Sequence, residues 1–242
     1  MIYNNLVIIN AFSESGALVA LDRKSGDEVW RYDGLKEAWN TPALVKNKDG
    51  KTEVVVGIFG KIIGVDPDNG SILWSSKAAN WYYVGSPLAS DGVVYSLSGK
   101  GVESAIAVRA GGKGDVTSSH RLWQTRKGSN VSSAAIHDGR LYFAHEQGSF
   151  FYCLDAESGE IVFDERLPRR FGIVYGSPIV ADGKVYLFSR QGGSLVLEAG
   201  KEYKVISQNP PLDKSAFNSS PAIAGDDLLI RSDETLYCIG SE

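Results

Sequence analysis

The sequence predicts an all-β chain, a β-propeller of four-stranded antiparallel blades. Three observations carry that prediction. A short anchor, a small residue then Pro or Ala then an apolar residue, recurs at Thr41-Pro42-Ala43, Ser86-Pro87-Leu88, Ser133-Ala134-Ala135, Ser177-Pro178-Ile179 and Ser220-Pro221-Ala222, at intervals of 45, 47, 44 and 43 residues. Periods in that range mark propeller blades. Each anchor precedes two β-rich runs split by Asp-Gly or a relative of it. No segment sustains the roughly 3.6-residue apolar period of an amphipathic helix.

With the strands of a unit lettered A to D, the anchor leads into A. The A–B turn reads Ser90-Asp91-Gly92-Val93, His137-Asp138-Gly139-Arg140 and Ala181-Asp182-Gly183-Lys184 in three units, Gly225-Asp226-Asp227 in the last, and the longer Lys46-Asn47-Lys48-Asp49-Gly50-Lys51 in the second. Asp-Gly suits a hairpin turn that needs positive φ at both central residues. The B–C turn falls near Phe59-Gly60, Gly99-Lys100-Gly101, Gln147-Gly148 and Gly192-Gly193. Strand C ends in Asp, and the C–D turn runs from Asp22 through Gly26 to Trp30, from Asp66 through Gly70 to Trp74, and from Asp155 through Gly159 to Phe163. There the Asp carboxylate can accept hydrogen bonds from the turn's own backbone, Gly supplies the left-handed position, and the aromatic can pack between neighbouring sheets. The third unit carries an extra loop, Ala110-Gly111-Gly112-Lys113-Gly114-Asp115, before Trp123, and the fifth keeps only Glu198-Ala199-Gly200-Lys201.

The blades fall approximately at residues 3–33, 40–77, 85–126, 132–167, 176–207 and 219–240, in a single domain over 1–242. The first is expected to open in strand B near Leu6, and the last to end in strand C at Tyr237-Cys238-Ile239, each with three strands. That count fits either an irregular six-bladed ring or, preferred here, an arc of a larger ring. An arc has open blade edges, which predict self-association.

The repeat small-Ser-Pro-apolar, then Asp-Gly-x-Val-Tyr, then apolar-Asp-x-x-x-Gly-x-x-x-Trp resembles that of the PQQ-like (quinoprotein-type, BamB-like) propeller family, over essentially the whole chain. The resemblance implies rings of commonly eight blades, of which this chain would be the C-terminal arc, and a periplasmic or cell-envelope location. Its quinoprotein members hold PQQ in the channel against a Trp platform, with calcium and an adjacent Cys-Cys ring. This sequence has only Cys153 and Cys238, far apart, and no evident calcium carboxylate set with a catalytic Asp. No cofactor is expected from its residues; PQQ enters through the resemblance alone.

The net charge of −4 and pI near 5.5, with interspersed signs, argue against nucleic acid or anionic membrane as main partner. The apolar runs are of strand length, so membrane insertion is not expected. Met1-Ile2-Tyr3-Asn4-Asn5 lacks the basic region and cleavage site of a signal peptide, and an export signal would lie upstream. The two cysteines sit in matching Tyr-Cys-apolar contexts in different repeats and read as unpaired, buried strand residues. Asp66-Pro67-Asp68-Asn69-Gly70 begins like a calcium loop but lacks the later Glu, so it reads as a turn. His120, His137 and His145 have no zinc spacing, and no G-x-S-x-G nucleophile elbow or P-loop frame is present.

The loops from D into the next A open on one rim of a propeller channel. They carry Trp39 and Asn40, Trp81 and Tyr83, Asn130, Arg169, Arg170 and Tyr175, and Asn218. Aromatic faces with amide donors and acceptors suit recognition of a protein, peptide or glycan, while the same residues could instead pack blade tops and cap turns. The reading is a non-enzymatic binding or scaffold propeller with these residues at its rim and no catalytic residue. The alternatives are a truncated or degenerate PQQ-dependent oxidoreductase and a structural module of a longer exported protein.

Overall fold

A computed structural model describes residues 1–99, 101–148 and 150–240. Lys100, in the expected Gly99-Lys100-Gly101 turn, lies outside the described residues. The chain forms six antiparallel meanders. Sheet I comprises β1 (Ile2–Tyr3), β2 (Leu6–Ala11), β3 (Ala17–Asp22) and β4 (Glu28–Asp33), with one helical turn, α1 (Phe12–Ser15), joining β2 to β3. Sheet II comprises β5 (Ala43–Lys46), β6 (Thr52–Ile58), β7 (Lys61–Val65) and β8 (Ile72–Lys77). Sheet III comprises β9 (Leu88–Ser90), β10 (Val93–Leu97), β11 (Ala105–Arg109) and, after the short β12 (Gly114–Asp115) and the turn α2 (Thr117–His120), β13 (Arg121–Thr125). These lie in one compact unit, residues 1–130.

A second unit starts at Val131. Its sheet IV is β14 (Ala135–His137), β15 (Arg140–Ala144), β16 (Phe150–Asp155) and β17 (Ile161–Arg166). Sheet V is β18 (Ile179–Ala181), β19 (Lys184–Phe188), β20 (Ser194–Glu198) and β21 (Val205–Asn209), and sheet VI is β22 (Ala222–Ala224), β23 (Asp227–Arg231) and β24 (Leu236–Ile239).

Two strand assignments differ from the sequence expectation. The first sheet has four strands, because Ile2 and Tyr3 pair with Val7 and Leu6 and supply strand A; two residues are too short to show an alternating pattern. The Gly-rich insert is not a plain loop. Its Gly114 and Asp115 pair in parallel with Trp74 and Ser75, adding a fifth strand to sheet II. Sheet VI has three strands among the described residues.

The repeated turns form as their residues dictate. Asp91 and Gly92, Asp138 and Gly139, and Asp182 and Gly183 all have positive φ, the two-residue hairpin geometry. Asp22 Oδ1 accepts the N–H groups of Lys24 and Ser25 at 2.8 and 2.9 Å, and Asp155 Oδ1 those of Glu157 and Ser158 at 3.0 and 2.8 Å. These backbone donors, Ser25 and Ser158 foremost, hold both carboxyls below the usual range. Asp66 Oδ1 accepts the Asp68 N–H at 2.9 Å in the same way, so the candidate calcium loop uses that oxygen to close its own turn.

The anchors stitch successive repeats together. The backbone N–H of Thr41 donates to Ser86 Oγ at 3.0 Å, that of Ser133 to Ser177 Oγ at 2.9 Å, and that of Ser177 to Ser220 Oγ at 2.8 Å. A hydroxyl one repeat further on thus satisfies a backbone donor at the start of strand A, each bond contributing roughly 1 kcal/mol.

Strand D pairs with strand C through a register shift in five sheets. The D residue just inside the shift is Trp30, Trp74, Trp123, Phe163 and Ser207 in sheets I to V, facing Ala20, Gly64, Ala107, Cys153 and Val196. The aromatics build the cores between sheets. Trp30 packs with Ile8, Leu18, Val54, Val56, Ile63 and Val65. Trp74 packs with Val55, Ile62, Val94, Ile106 and Val108. Phe163 lies against the cluster of Tyr142, Phe151, Val185, Leu187, Leu195 and Leu197. Cys153 is buried in that cluster, and burial pushes its thiol up to about 11. Cys238 departs from the expectation: it is free and exposed, because its sheet has no strand outside β24 to cover it.

Candidate functional site

In the first unit the D–A loops of sheets I and II lie side by side. Tyr83 N–H donates to Glu37 O at 2.8 Å and Trp39 N–H to Tyr83 O at 2.7 Å, a short parallel bridge. This brings four rings together. Trp39 meets Phe12 edge-on at 5.0 Å between centroids and Tyr82 edge-on at 6.0 Å, and Trp81 lies 5.0 Å from Tyr82. Trp39 is 49% exposed, while Phe12, Trp81 and Tyr82 are half-buried. Edge-to-face rings are the favoured geometry for aromatic pairs, so the exposed indole is held from two sides.

Three residues expected at the rim are committed to the interior. Asn40 is 2% exposed; its Nδ2 donates to Gly57 O at 2.7 Å and its Oδ1 accepts the Gly57 N–H at 3.2 Å. Tyr83 is 1% exposed, and its hydroxyl accepts the Ala79 N–H at 3.0 Å. Burial raises that hydroxyl well above the usual tyrosine range. Asn130 is buried, donates to the Tyr82 hydroxyl, and packs so closely on Gly99 that a Cβ there would lie 2.5 Å from its own. These side chains position the loops that carry the rings and present nothing to solvent.

In the second unit the expected residues divide differently. Arg169 and Arg170 are exposed, and Arg170 has a φ of 76°. Tyr175 and Asn218 meet through Arg190, whose guanidinium lies 4.8 Å over the Tyr175 ring and whose Nε donates to Asn218 Oδ1 at 2.6 Å. Asn218 Nδ2 in turn donates to Asp233 Oδ1 at 3.1 Å. Arg190 was not among the expected site residues, nor were Phe12 and Tyr82. Phe12 and Arg190 both occupy B–C turns, at the same end of their sheets as the D–A loops, and Tyr82 sits between two residues that were chosen. A survey of the B–C turns for aromatic and basic residues would have found the first two.

The repeats, the hydroxyl ladder and the inter-sheet aromatics recur in known proteins. A family profile described as outer membrane protein assembly factor BamB matches residues 14–241. The chain belongs to the BamB family. The BamB protein of Yersinia pestis is 23% identical over 250 residues, covering 96% of this chain and 58% of that protein. The crystal structure of BamB from Moraxella catarrhalis superposes with a TM-score of 0.73 at 18% identity, covering 96% of this chain and 65% of that one. The chain thus spans less than two thirds of the length of these BamB proteins and shares their β-propeller fold. Quinoprotein alcohol dehydrogenase PedH of Pseudomonas putida is 30% identical over 131 residues, 51% of this chain and 20% of that protein.

The quinoprotein likeness raises the question of PQQ. The residues of this BamB-family chain do not fit that group. Its two cysteines lie on different sheets, one buried and one exposed, so they cannot form an adjacent-cysteine ring. Among the described residues no three His, Cys, Asp or Glu side chains converge as calcium ligands would. No helix of the described residues is long and apolar enough to cross a membrane.

Proposed function

We propose that this BamB-family propeller is a non-enzymatic scaffold of the cell envelope. It binds a polypeptide partner through the ends of its sheets formed by D–A loops and B–C turns. The observation that carries the reading is Trp39, a large apolar side chain half exposed yet fixed edge-on between Phe12 and Tyr82. Rigid aromatics with a stacked basic group, here Arg190 on Tyr175, supply contact area at low entropic cost and dominate protein interfaces. The printed name of the relatives, outer membrane protein assembly factor, supports a role in that process.

The test is a photo-crosslinking residue at position 39 in producing cells, with position 24 on the opposite turns as control. A single polypeptide adduct is expected from position 39 and not from 24. Trp39→Ala is expected to weaken the adducted partner's affinity by about thirtyfold, the scale of an interface hot spot, with stability changed by no more than about 0.5 kcal/mol. Equal adducts at both positions, or unchanged affinity, would count against the site.

Self-association has its own support. The outer edge of β24 carries no strand among the described residues, and its sequence, Leu236-Tyr237-Cys238-Ile239, holds none of the Lys or Pro residues that blunt exposed edges. Light scattering at increasing concentration is expected to show mass above that of one chain; a monomer throughout would refute it.

A further inference from the structure

Sheet V departs from the pattern of the four before it. Just inside the C–D register shift, Trp30, Trp74, Trp123 and Phe163 face small residues, Ala20, Gly64, Ala107 and Cys153. Where the next sheet of the same unit follows, the ring fills the space toward it. In sheet V the equivalent residue is Ser207, facing Val196. The core beyond it, toward sheet VI, shrinks to Phe188, Phe217 and Ile230 with partly buried neighbours. In place of a ring there is a cavity of about 310 Å³, lined by Tyr186, Phe188, Val196, Leu228, Ile230 and Ile239 among others. Cross-strand partners share a face, so Ser207 points to the same side as Val196, which lines the cavity.

We propose that this cavity is a receptor for an aromatic side chain of a partner polypeptide, which takes the place that a strand-D aromatic holds in the other sheets. The proposal rests on the polypeptide-binding reading above and names the group recognised. A dry apolar cavity of about 150 Å³ already accepts a benzene ring, so this one has room for an indole. The two indoles that bridge sheets in the first unit each find an acceptor: Trp30 Nε1 donates to Pro67 O at 2.9 Å, and Trp74 Nε1 to Glu53 Oε2 at 2.6 Å. At the cavity Asn209 is held through its Nδ2, which donates to Ser194 Oγ at 3.2 Å and Ser207 Oγ at 3.4 Å, and its Oδ1 is turned to accept. A polypeptide fits better than a small molecule because Ile239 belongs to β24, whose open edge offers main-chain hydrogen bonds beside the cavity.

The probe is N-acetyl-tryptophanamide, with N-acetyl-leucinamide as control, added to the full chain labelled at Leu and Ile methyls. The tryptophanyl probe is expected to bind at least about tenfold more tightly than the leucyl one and to shift the methyls of Leu228, Ile230 and Ile239. Val196→Ala combined with Ser207→Trp rebuilds the Ala–Trp pair of sheets I and III. It is expected to raise the melting temperature by several degrees and to weaken the probe at least tenfold. Equal affinity for the two probes, shifts confined to other methyls, or a folded double variant that binds as tightly as the parent would overturn the proposal. If the double variant does not fold, the methyl map of the parent chain decides. The probe needs no partner, so its failure leaves the Trp39 reading standing, and failure of crosslinking at position 39 leaves the probe result standing.

Discussion

Replacing Trp74 with alanine is expected to cost about 4 kcal/mol of folding free energy, the scale for removing a fully buried large aromatic. Against a total of about 5–15 kcal/mol for a typical domain, that is a large fraction. Trp74 is 0% exposed, and its ring lies so close over Gly64 that a Cβ there would stand 2.2 Å from it. The space between sheets II and III is therefore shaped around the indole and has little else to collapse into. A second loss adds to the cavity. Glu53, 2% exposed, receives hydrogen bonds from Trp74 Nε1, from Asn47 Nδ2 at 2.8 Å and from the Gly111 N–H at 3.1 Å. Removing the indole leaves a buried carboxyl oxygen one donor short. Gly111 opens the connection that carries β12 onto β8, so that added strand is expected to lose hydrogen-exchange protection in step. Urea unfolding checks the first effect, with Trp74→Phe as control, which keeps a ring and loses the donor. A cost below about 1 kcal/mol for the alanine variant would mean that the indole does not organise this interface.

The role of Trp74 was legible in the sequence because it repeats. An aromatic eight residues beyond a strand-ending Asp, as at Trp30 and Trp74, fixes strand, turn and facing sheet together. The turns were legible for the same reason, since left-handed backbone and Asp side-chain acceptors are local needs met by local residues. What repeated only in degenerate form was not read. Two residues, Ile2 and Tyr3, make a strand solely by pairing with β2, and Gly114-Asp115 make one solely by lying beside β8. Cys238 matches Cys153 in its neighbours, yet one is exposed and the other buried, because burial depends on what covers the sheet. The candidate site suffered most from this. Loop composition placed Trp39 and Asn40, and Trp81 and Tyr83, in the right loops but could not say which way each side chain turns.

Asn40 makes that difference measurable. Asn40→Ala is expected to cost about 3 kcal/mol while its neighbour Trp39→Ala costs almost nothing. The Asn40 amide imitates a strand: its Nδ2 and Oδ1 engage both backbone groups of Gly57, and Nδ2 also reaches Tyr83 O at 3.4 Å. No water reaches the position to replace those bonds, and each buried polar group left without a partner costs about 1–3 kcal/mol. The site is also rigid around it. A Cβ on Gly57 would stand 2.9 Å from the Tyr83 ring, so backbone, amide and phenol are fitted together. Asn40→Asp separates shape from bonding, since it keeps the acceptor for the Gly57 N–H and turns an oxygen toward Gly57 O. It is expected to destabilise at least as much as alanine. Thermal and urea unfolding of the three variants reads the result, with partner affinity as the second axis. Trp39→Ala should lose affinity and keep stability. Asn40→Ala should lose stability and, in the fraction that remains folded, bind in proportion to how well the loop still presents Trp39. An Asn40→Ala protein as stable as the parent but unable to bind would place the amide in the recognition surface after all.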